Sequence, residues 1–304
     1  MIPAMNITAW SKVAPWAEQR QIEQDLIVSR AIVDLFSDEF LSQELRFRGG
    51  TALNKLHFPA PLRYSEDIDL VRTTHGGTGP ILDRIRDVLE WLGHANYEPS
   101  PVAPKLSFQV DAEDGGPPLR LKIEIATREI DPYDGAVSFH FAVENGWFTG
   151  KAAVPTYTNE EMLATKLRAL LQRSKGRDLV DLSHALSVMR ALNTARVVDL
   201  FACYMHAEGH PITRAQAEQR MFEKLANPSL LPDIKPLLTP DEADKLTDDA
   251  MKTAFSSVLD ALIIQLPGDP WKRTDEMIKK FGLAPDTAVK RVRNYGPNSN
   301  RRCN

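Results

Sequence analysis

The sequence predicts an α+β domain followed by a helical domain. Between residues 45 and 143, short segments with the two-residue period of strands alternate with amphipathic helical segments, whereas after about Pro155 nearly every segment has the helical period. A chain of 304 residues is also long for one domain, because domains average roughly 150 residues. We therefore expect an α+β domain over residues 1–155 and a helical domain with a basic C-terminal tail over residues 156–304.

The first half carries signals for helices and strands in turn. Ile22 to Phe36 has apolar residues at helical spacing, and Pro80 can open a second helix that runs to about Ala95. A turn at residues 115–118, Gly-Gly-Pro-Pro, separates two of the segments that have strand character. Those segments are Leu45–Phe47, Asp67–Val71, Leu106–Val110, Leu119–Ile125 and Val137–Val143.

The second half is expected to be almost entirely helical. Its first helix opens with Thr158-Asn-Glu-Glu161, which fits a capping box. The predicted helices cover residues 160–173, 178–191, 194–207, 213–226 and 241–265.

Composition excludes several classes of protein. The hydrophobic fraction of 43% and the charged fraction of 26% are typical of a globular chain, and no apolar run approaches the roughly 18 to 20 residues of a membrane span. The N-terminus has no secretory signal pattern, and the two cysteines, Cys203 and Cys303, have no metal-ligand spacing. We expect a cytoplasmic protein that makes no membrane contact.

The basic residues are unevenly distributed along the chain. The net charge of −4 argues against general coating of nucleic acid, yet residues 162–177 contain five basic residues and no acid, and residues 271–304 contain nine basic residues against three acids. Solvated helix faces are the alternative reading. If the first cluster instead contacts RNA, the candidate residues are Arg168, Arg173, Lys175 and Arg177.

Asp67-Ile68-Asp69 is the first candidate for chemistry. Residues i and i+2 of a strand project from the same face, so both carboxylates point at one spot. Two carboxylates this close repel each other unless a cation lies between them. Mg²⁺, or Mn²⁺ in its place, prefers such oxygen ligands and keeps positions for substrate phosphates. The motif therefore predicts a metal site.

Gly49-Gly50-Thr51 lies upstream of this motif, where a strand gives way to a helix. Glycines let backbone amides approach an anion, the helix N-terminus adds its dipole, and Thr51 can add a hydroxyl. A phosphate-binding turn followed by a strand with two carboxylates is the layout that phosphoryl or nucleotidyl transfer requires.

Glu124 is the candidate for a third metal ligand. In residues 120–125 the apolar side chains occupy one strand face, while Arg120, Lys122 and Glu124 occupy the other. Glu124 would complete the metal site and help to deprotonate an attacking hydroxyl. The alternative is that Lys122 and Glu124 simply form a solvent-facing row.

Three motifs in order resemble a known family. The segments GGTAL…RYSEDIDL, LKIEIA and TKLRALLQRSKGRDLVDL, which span roughly residues 45 to 185, resemble the AbiEii/AbiGii-type nucleotidyltransferase toxins, whose mycobacterial relatives are the MenT toxins. The resemblance implies a polymerase-β-like nucleotidyltransferase fold of the α+β class, with a mixed sheet, flanking helices and a helical C-terminal domain that completes the active-site cleft.

The resemblance also implies roles in the third motif. Lys166 would contact the triphosphate, Asp178 would organise the site across the cleft, and Asp181 would support the basic residues at the nucleotide. The alternative for Asp178 is a helix cap, and for Asp181 a first-turn acid that interacts with the helix dipole.

The reaction predicted from these residues is transfer of NMP from an NTP, with release of pyrophosphate. The resemblance implies an RNA acceptor, the tRNA 3′ end being the candidate, a growth-inhibiting toxin of a toxin–antitoxin or phage-defence system, and a cognate antitoxin as partner. Three alternatives remain: a protein acceptor, a small-molecule acceptor, or a non-catalytic module of the same fold that binds RNA or a partner protein.

Overall fold

The chain folds as two compact units. The computed structural model describes residues 2–228, 230 and 232–283. The first unit consists of the described residues up to Thr158 together with Leu237–Pro240, and the second consists of Asn159–Pro236 with the described residues from Asp241 on. Residues 284–304, which carry much of the basic C-terminal tail expected from the sequence, lie outside the described residues.

A five-stranded mixed sheet organises the first unit. Its strands run in the order β1-β2-β5-β4-β3, in which β2 and β5 are parallel and the other neighbouring pairs are antiparallel. A mixed sheet with flanking helices is the architecture that the sequence predicted. The strands are β1 Leu45–Arg48, β2 Asp67–Arg72, β3 Ala95–Glu98, β4 Lys105–Val110 and β5 Leu119–Ala126.

Helices and a hairpin surround this sheet. A separate two-stranded sheet pairs β6 Val137–Glu144 with β7 Thr149–Thr156, and the long helix α2 packs against β2, β5, β6 and β7. The helices of this part are α1 Ala4–Trp10, α2 Gln19–Ser37, α3 Glu39–Glu44, α4 Gly49–Ala52, which continues as a π-helix at Leu53–His57, and α5 Gly79–Val88 with a 3-10 turn at Glu90–Leu92.

The two faces of the five-stranded sheet differ in polarity. Ile68 and Leu70 of β2 and Ile123 and Ile125 of β5 are all fully buried, and they alternate with charged residues along both strands. Burial of the apolar row against the helices stabilises the unit, because each fully buried aliphatic side chain contributes about 1.5 to 3 kcal/mol. The charged row is left on the other face.

The structure departs from the predicted elements at the edges. The helix expected to run to about Ala95 ends at Val88, because a 3-10 turn and Gly93, whose φ is 81°, stop it and Ala95 begins β3. Strands β3 and β7 were not predicted. β3 has four residues, and β7 contains glycine, alanine and proline, so pairing with a neighbour rather than local pattern fixes both strands.

The loop before β2 is held by a segment from much later in the chain. The backbone N–H of Tyr64 donates to the carbonyl oxygen of Leu237 at 2.7 Å, and Arg63 forms an antiparallel bridge with Leu238. Leu237–Pro240 is therefore part of the first unit although it lies 79 residues beyond Thr158 (237 − 158).

The second unit is helical. The helix predicted over residues 241–265 is divided: α11 is preceded by the shorter α10 and followed by a 3-10 turn at Ile263–Gln265, because Thr247 caps the amide of Ala250 and starts a new helix. The helices that follow Thr158 along the chain are α6 Asn159–Gln172, α7 Gly176–Val188, α8 Thr194–Ala207, α9 Arg214–Leu225, α10 Pro240–Lys245, α11 Asp248–Ala261 and α12 Thr274–Phe281.

None of the helices in the described part of the chain combines the length and the apolar character that crossing a bilayer requires.

A buried carboxylate joins three segments of the first unit. Asp25 of α2 accepts hydrogen bonds from the indole N–H groups of Trp10, at 2.9 Å, and Trp16, at 3.1 Å. Its Oδ1 also lies 2.9 Å from Nζ of Lys55, which is in the π-helix and donates in addition to Ser29. Asp25 thereby fixes the N-terminal segment and the π-helix against α2.

Replacing Asp25 with alanine is expected to lower the free energy of unfolding by about 3 to 5 kcal/mol, because it leaves a partly buried lysine and two indole N–H groups without their acceptor. Urea denaturation measures the effect. Asp114→Ala is the matched control, because its ion pair with Arg20 is exposed and its removal should hardly move the urea midpoint. Equal losses in the two variants would contradict a structural role for the Asp25 contacts.

Candidate active site

Parallel pairing of β2 with β5 brings the charged side chains together. In the register of these strands Asp67 is opposite Lys122, and Asp69 is opposite Glu124. Because alternate residues of a strand share a face, the two aspartates, Lys122 and Glu124 lie on the same side of the sheet. The two separated sequence motifs that carry these carboxylates are therefore neighbours in the fold.

Lysines balance two of the three carboxylates. Nζ of Lys122 lies 2.9 Å from Oδ2 of Asp67, and Nζ of Lys105, on β4, lies 3.4 Å from Oε2 of Glu124. Burial alone would lower the pKa of Lys122, but its hydrogen bond with Asp67 and the charges of the three carboxylates raise it above the ordinary value. The ammonium group of Lys122 is thus held in its charged form.

Asp69 has an environment that disfavours its negative charge. Burial raises the pKa of Asp69; the positive charge of Arg48 opposes that shift, while the negative charges of Asp67 and Glu124 add to it. The ionised form of Asp69 is therefore costly in the described arrangement, and added positive charge at this place would favour it.

The turn that ends β1 lies directly against Asp69. Gly49 has a φ of 82°, in the left-handed region that favours glycine, and a Cβ atom at this position would collide with Oδ2 of Asp69. The next residue, Gly50, has similarly little room, since a Cβ atom there would lie 2.5 Å from Nη2 of Arg63. Both glycines permit close approach of the backbone that opens α4, as the strand-to-helix prediction required.

The side chain of Thr51 forms hydrogen bonds within the protein, behind the glycine turn. Thr51 is buried, its hydroxyl donates to the backbone carbonyl of Asp67, and it lies 2.8 Å from the hydroxyl of Ser65. These contacts tie the first turn of α4 to the entry of β2. The contribution of Thr51 seen in the structure is thus to position the glycine turn beside Asp67.

Sequence reasoning missed two residues that organise this region. The side-chain amide of Asn54 donates to the carbonyl oxygen of Gly50 at 2.9 Å, and its side-chain oxygen accepts from the backbone N–H groups of Leu62 and Arg63, both at 3.1 Å. Arg63 is 2% exposed, and Nη1 donates to the carbonyl of Tyr64 at 3.1 Å. An arginine four residues before the first aspartate was the available signal, but its position against Gly50 depends on how the loop returns.

The donor set fits a divalent cation in chemistry and charge. Carboxylate oxygens are the ligands that Mg²⁺ and Mn²⁺ prefer, and the three acids share one face of adjacent strands. In the side-chain arrangement of the described residues, however, no three His, Cys, Asp or Glu side chains form one metal-binding group. Lysines 122 and 105 instead pair with Asp67 and Glu124.

A second charged cluster lies inside the helical unit. Lys166 of α6 is 5% exposed, and Nζ lies 2.9 Å from Oδ2 of Asp181 and 3.3 Å from Oδ1 of Asp178, both fully buried on α7. Nε and Nη2 of Arg173 lie 2.7 and 2.8 Å from the two carboxylate oxygens of Asp178. Four residues that the sequence singled out are therefore brought together, with two cations balancing two acids.

The arginine and lysine contacts keep Asp178 ionised. Burial alone would raise the pKa of Asp178, but the hydrogen bond from Arg173 and the charges of Lys166 and Arg173 outweigh burial and the repulsion of Asp181, and they lower the pKa below the ordinary value. A bidentate arginine contact of this kind is among the stronger hydrogen-bonded ion pairs in proteins.

The four residues singled out for RNA contact have different surroundings. Arg168 is 9% exposed, pairs with Glu208 at 2.9 Å and lies over the ring of Tyr204. Arg173 is half exposed and pairs with Asp178, and Lys175 is half exposed with Nζ 3.5 Å from Asp233. Arg177, in the first turn of α7, is partly buried.

Comparison with known proteins connects this fold to a family. The family model described as "Nucleotidyl transferase AbiEii toxin, Type IV TA system" matches residues 30–261, well over half of the chain. Among solved structures, MenT4, a nucleotidyltransferase toxin from Mycobacterium tuberculosis H37Rv, superposes with a TM-score of 0.63 at 18% identity, covering 93% of this chain and 99% of that chain. JHP933 from Helicobacter pylori has a TM-score of 0.46 at 19% identity, covering 88% and 95%. No curated protein matches.

The similarity to MenT4 shows that the chain has the MenT-type nucleotidyltransferase fold, as the sequence predicted. The protein is an enzyme of the nucleotidyltransferase class. It belongs to the AbiEii family of nucleotidyltransferase toxins of type IV toxin–antitoxin systems. Membership implies an NTP substrate and an antitoxin partner.

Gly49→Ala is expected to destabilise the protein by about 1 to 2 kcal/mol more than Gly93→Ala. Both glycines have a positive φ, so both variants carry backbone strain, and with a ψ of −152° Gly93 lies in a region that is essentially restricted to glycine. Only at Gly49 does the new methyl group also meet Asp69, while the space beside Gly93 is open. Urea denaturation of the two variants isolates the steric contribution. Equal destabilisation would contradict the close approach of the glycine turn to Asp69.

Asp178→Asn is expected to cost about 3 kcal/mol or more of unfolding free energy at pH 7, because it leaves two cations with one carboxylate. The pKa of Asp178 is lowered in the folded state, so its stabilisation is present above the unfolded pKa of about 3.9 and is lost as the pH falls below that value. The difference between wild type and variant should therefore shrink between pH 5 and pH 3. A difference that stays constant over this range would contradict the ionised state of Asp178.

Proposed function

We propose that this toxin transfers a nucleoside monophosphate from an NTP to RNA, with the 3′ end of tRNA as the acceptor, and that blocking this end inhibits growth. The observation that supports the proposal best is the row of carboxylates on β2 and β5 beside the glycine turn. Asp67, Asp69 and Glu124 lie on one face of two adjacent strands, and Gly49 brings the start of α4 against Asp69. Phosphoryl chemistry needs this proximity of acids and backbone amides.

Mg²⁺, or Mn²⁺, is the cation we propose for the three carboxylates. It would supply charge neutralisation of the phosphates and orientation of the NTP. Binding of the cation competes with Lys122 for Asp67 and with Lys105 for Glu124, since these lysines now balance the two acids. The cation would also favour the ionised form of Asp69, which burial and neighbouring acids disfavour.

The proposed reaction is attack of an acceptor hydroxyl on the α-phosphorus of the NTP. A new ester bond forms between the acceptor oxygen and the α-phosphorus, the bond from the α-phosphorus to the bridging oxygen breaks, and pyrophosphate leaves. Glu124 accepts the proton of the attacking hydroxyl, a role that a half-buried carboxylate on the same face can fill. The amides of Gly49, Gly50 and Thr51 bind phosphate oxygens at the start of α4.

We further propose that Lys166, Asp178 and Asp181 contribute to nucleotide binding. The ammonium group of Lys166 is buried between the two acids, so it has a fixed position. A lysine held in this way is suited to a phosphate group, because a compact positive charge needs no particular approach angle. The half-exposed Arg173 and Lys175 and the partly buried Arg177 are the candidates for contacts to acceptor RNA; Arg168, which pairs with Glu208, is the weakest of the four.

Asp67→Asn and Asp69→Asn are each expected to lower NMP transfer at least about 100-fold, because each removes a carboxylate that would hold the proposed cation at the phosphates. The measurement is the incorporation of label from α-labelled NTPs in the presence of total RNA and total protein, with Mg²⁺ or Mn²⁺. Glu66→Gln is the matched control: Glu66 directly precedes β2 and accepts from the hydroxyl of Tyr64, so this variant should keep nearly full activity. Activity that survives in both aspartate variants would overturn the assignment.

The same incubation identifies the acceptor. Label in RNA that is sensitive to the Asp67→Asn change supports the proposal, and sequencing of RNA 3′ ends then locates the added nucleotide. Label only in protein or in a small molecule would replace RNA with that acceptor. If wild-type protein transfers no nucleotide with any NTP and either metal, a non-catalytic module that binds RNA or a partner becomes the better account.

A further inference from the structure

A cavity of about 690 Å³ lies within the helical unit, apart from the buried Lys166 cluster. The end of α6, the end of α8 and the exposed side of α9 enclose it. Leu171, Met205 and Ile212 supply apolar surface, and all three are buried. Around them are the side chains of Gln172, Gln216, Arg220 and Lys224, so the cavity combines an apolar floor with amide and cationic groups.

Two cations of α9 are fixed at the wall of this cavity. Nη1 of Arg220 donates to the carbonyl of Leu171 at 3.3 Å, and Nζ of Lys224 donates to the carbonyl of Arg173 at 2.6 Å. Contacts of this type satisfy backbone carbonyls that have no hydrogen-bond partner within α6, at its C-terminal end. Each side chain donates one N–H group to these carbonyls. Because a guanidinium group has five N–H donors and an ammonium group has three, both keep further donors for a ligand.

These two cations have no ion-pair partner among the described residues. The acid that lines the cavity is Glu223, which is exposed and accepts from the side-chain amide of Gln219. Burial lowers the pKa of Lys224 and the charge of Arg220 adds to that shift, while Asp178 and Glu223 oppose it. The exposed Arg220 and the half-buried Lys224 are therefore neighbours without a carboxylate at ion-pair distance among the described residues, although the charges of Asp178 and Glu223 reach Lys224.

Capping of α6 alone does not account for this arrangement. Each of the two side chains satisfies a different carbonyl at the end of α6, but an exposed basic side chain would do so without desolvation. Instead, the basic side chains of Arg220 and Lys224 lie one helical turn apart on α9. Both line the cavity, whose floor is apolar. That combination of cations, amide groups and apolar floor suits a phosphorylated nucleoside, whose phosphate, base edge and base plane need these three kinds of contact.

We propose that this cavity is a second phosphate-binding site, which holds one nucleotide of the RNA acceptor strand through Arg220 and Lys224. Its rim residues Gln172, Gln216 and Arg220 are exposed, so a strand can enter while its neighbouring nucleotides stay outside. The assignment rests on the proposed function in one respect, namely that the acceptor is RNA. It adds a site in the helical unit that none of the sequence motifs indicated.

The test is the dissociation constant of bulk tRNA, measured without NTP by fluorescence anisotropy at several KCl concentrations. Full-length Arg220→Gln/Lys224→Gln protein is expected to bind about tenfold more weakly at 0.1 M salt, and the magnitude of the slope of log K against log salt should fall by about 0.7 to 0.9, because neutralisation of one phosphate is lost. Lys245→Gln/Lys252→Gln is the control: it removes two lysines that pair with acids elsewhere on the exposed helical surface, and its tRNA affinity should stay within about twofold.

A second variant guards against loss of the α6 contacts. Gln216→Glu retains the capping box with Thr213 and leaves both carbonyl contacts of α6 intact, yet it places a negative charge at the rim. It should weaken tRNA binding about threefold or more. Unchanged affinity and salt slope in both cavity variants would overturn the proposal, as would wild-type protein that fails to bind tRNA.

Free nucleotides form the second arm of the test. The binding of ATP, GTP, CTP and UTP, measured by calorimetry, should be the same in wild-type and cavity variants. A loss of NTP binding that exceeds the loss of tRNA binding would assign the cavity to free nucleotide and overturn the RNA assignment. Failure of the proposed function is distinct, because it appears as wild-type protein that adds no NMP to RNA, whatever the tRNA affinity of the cavity variants.

Discussion

Parallel pairing of β2 with β5 is the interaction on which the carboxylate row depends. Neighbouring antiparallel strands can be joined by a short turn, but a parallel pair needs a long crossover, here the chain from residue 73 to residue 118 with α5, β3 and β4. The register places Glu124 opposite Asp69 and Lys122 opposite Asp67. A shift by one residue would exchange the charged row for Ile123 and Ile125, so burial of the isoleucines fixes the register and, through it, the positions of the acids.

Balance of opposite charges is a feature of both units. In the first unit lysines offset the partly exposed Asp67 and Glu124, and burial makes the charge of Asp69 costly. In the second, the buried Lys166 and the half-exposed Arg173 balance the fully buried Asp178 and Asp181. Buried charges of this kind are costly to desolvate and contribute little net stability compared with an apolar core. We therefore expect the net contribution of these charges to stability to be small, although removing one partner of a buried pair is costly.

The sequence predicted those features that depend on the spacing of neighbouring residues. Asp67, Asp69 and Glu124 could be assigned to strand faces because the two-residue period is visible in short segments. Gly49 could be assigned to a turn because two consecutive glycines end a short apolar run. The prediction of one continuous helix over residues 241–265 was wrong, because Thr247 caps a new helix there and was taken as part of the longer one. The unpredicted β3 and β7 depend on their partners.

Contacts between distant segments could not be predicted from one sequence. The loop around Arg63 reaches Gly50 through Asn54, and the partner of Arg168 is Glu208, forty residues further along the chain. Neither contact can be recognised from the spacing of residues in the sequence. The cavity beside Arg220 is equally invisible in sequence, because the ends of α6 and α8 and one side of α9 enclose it only after folding.

The segment Leu237–Pro240 makes the first unit depend on residues that are synthesised late. The loop that leads into β2 takes one of its backbone hydrogen bonds from Leu237, so a ribosome must finish the first 237 residues before the first unit has all of its contacts. Closing so long a loop is entropically slow compared with forming the sheet itself. A nascent chain released early would retain the carboxylates and the glycine turn while lacking one support of the loop that joins them.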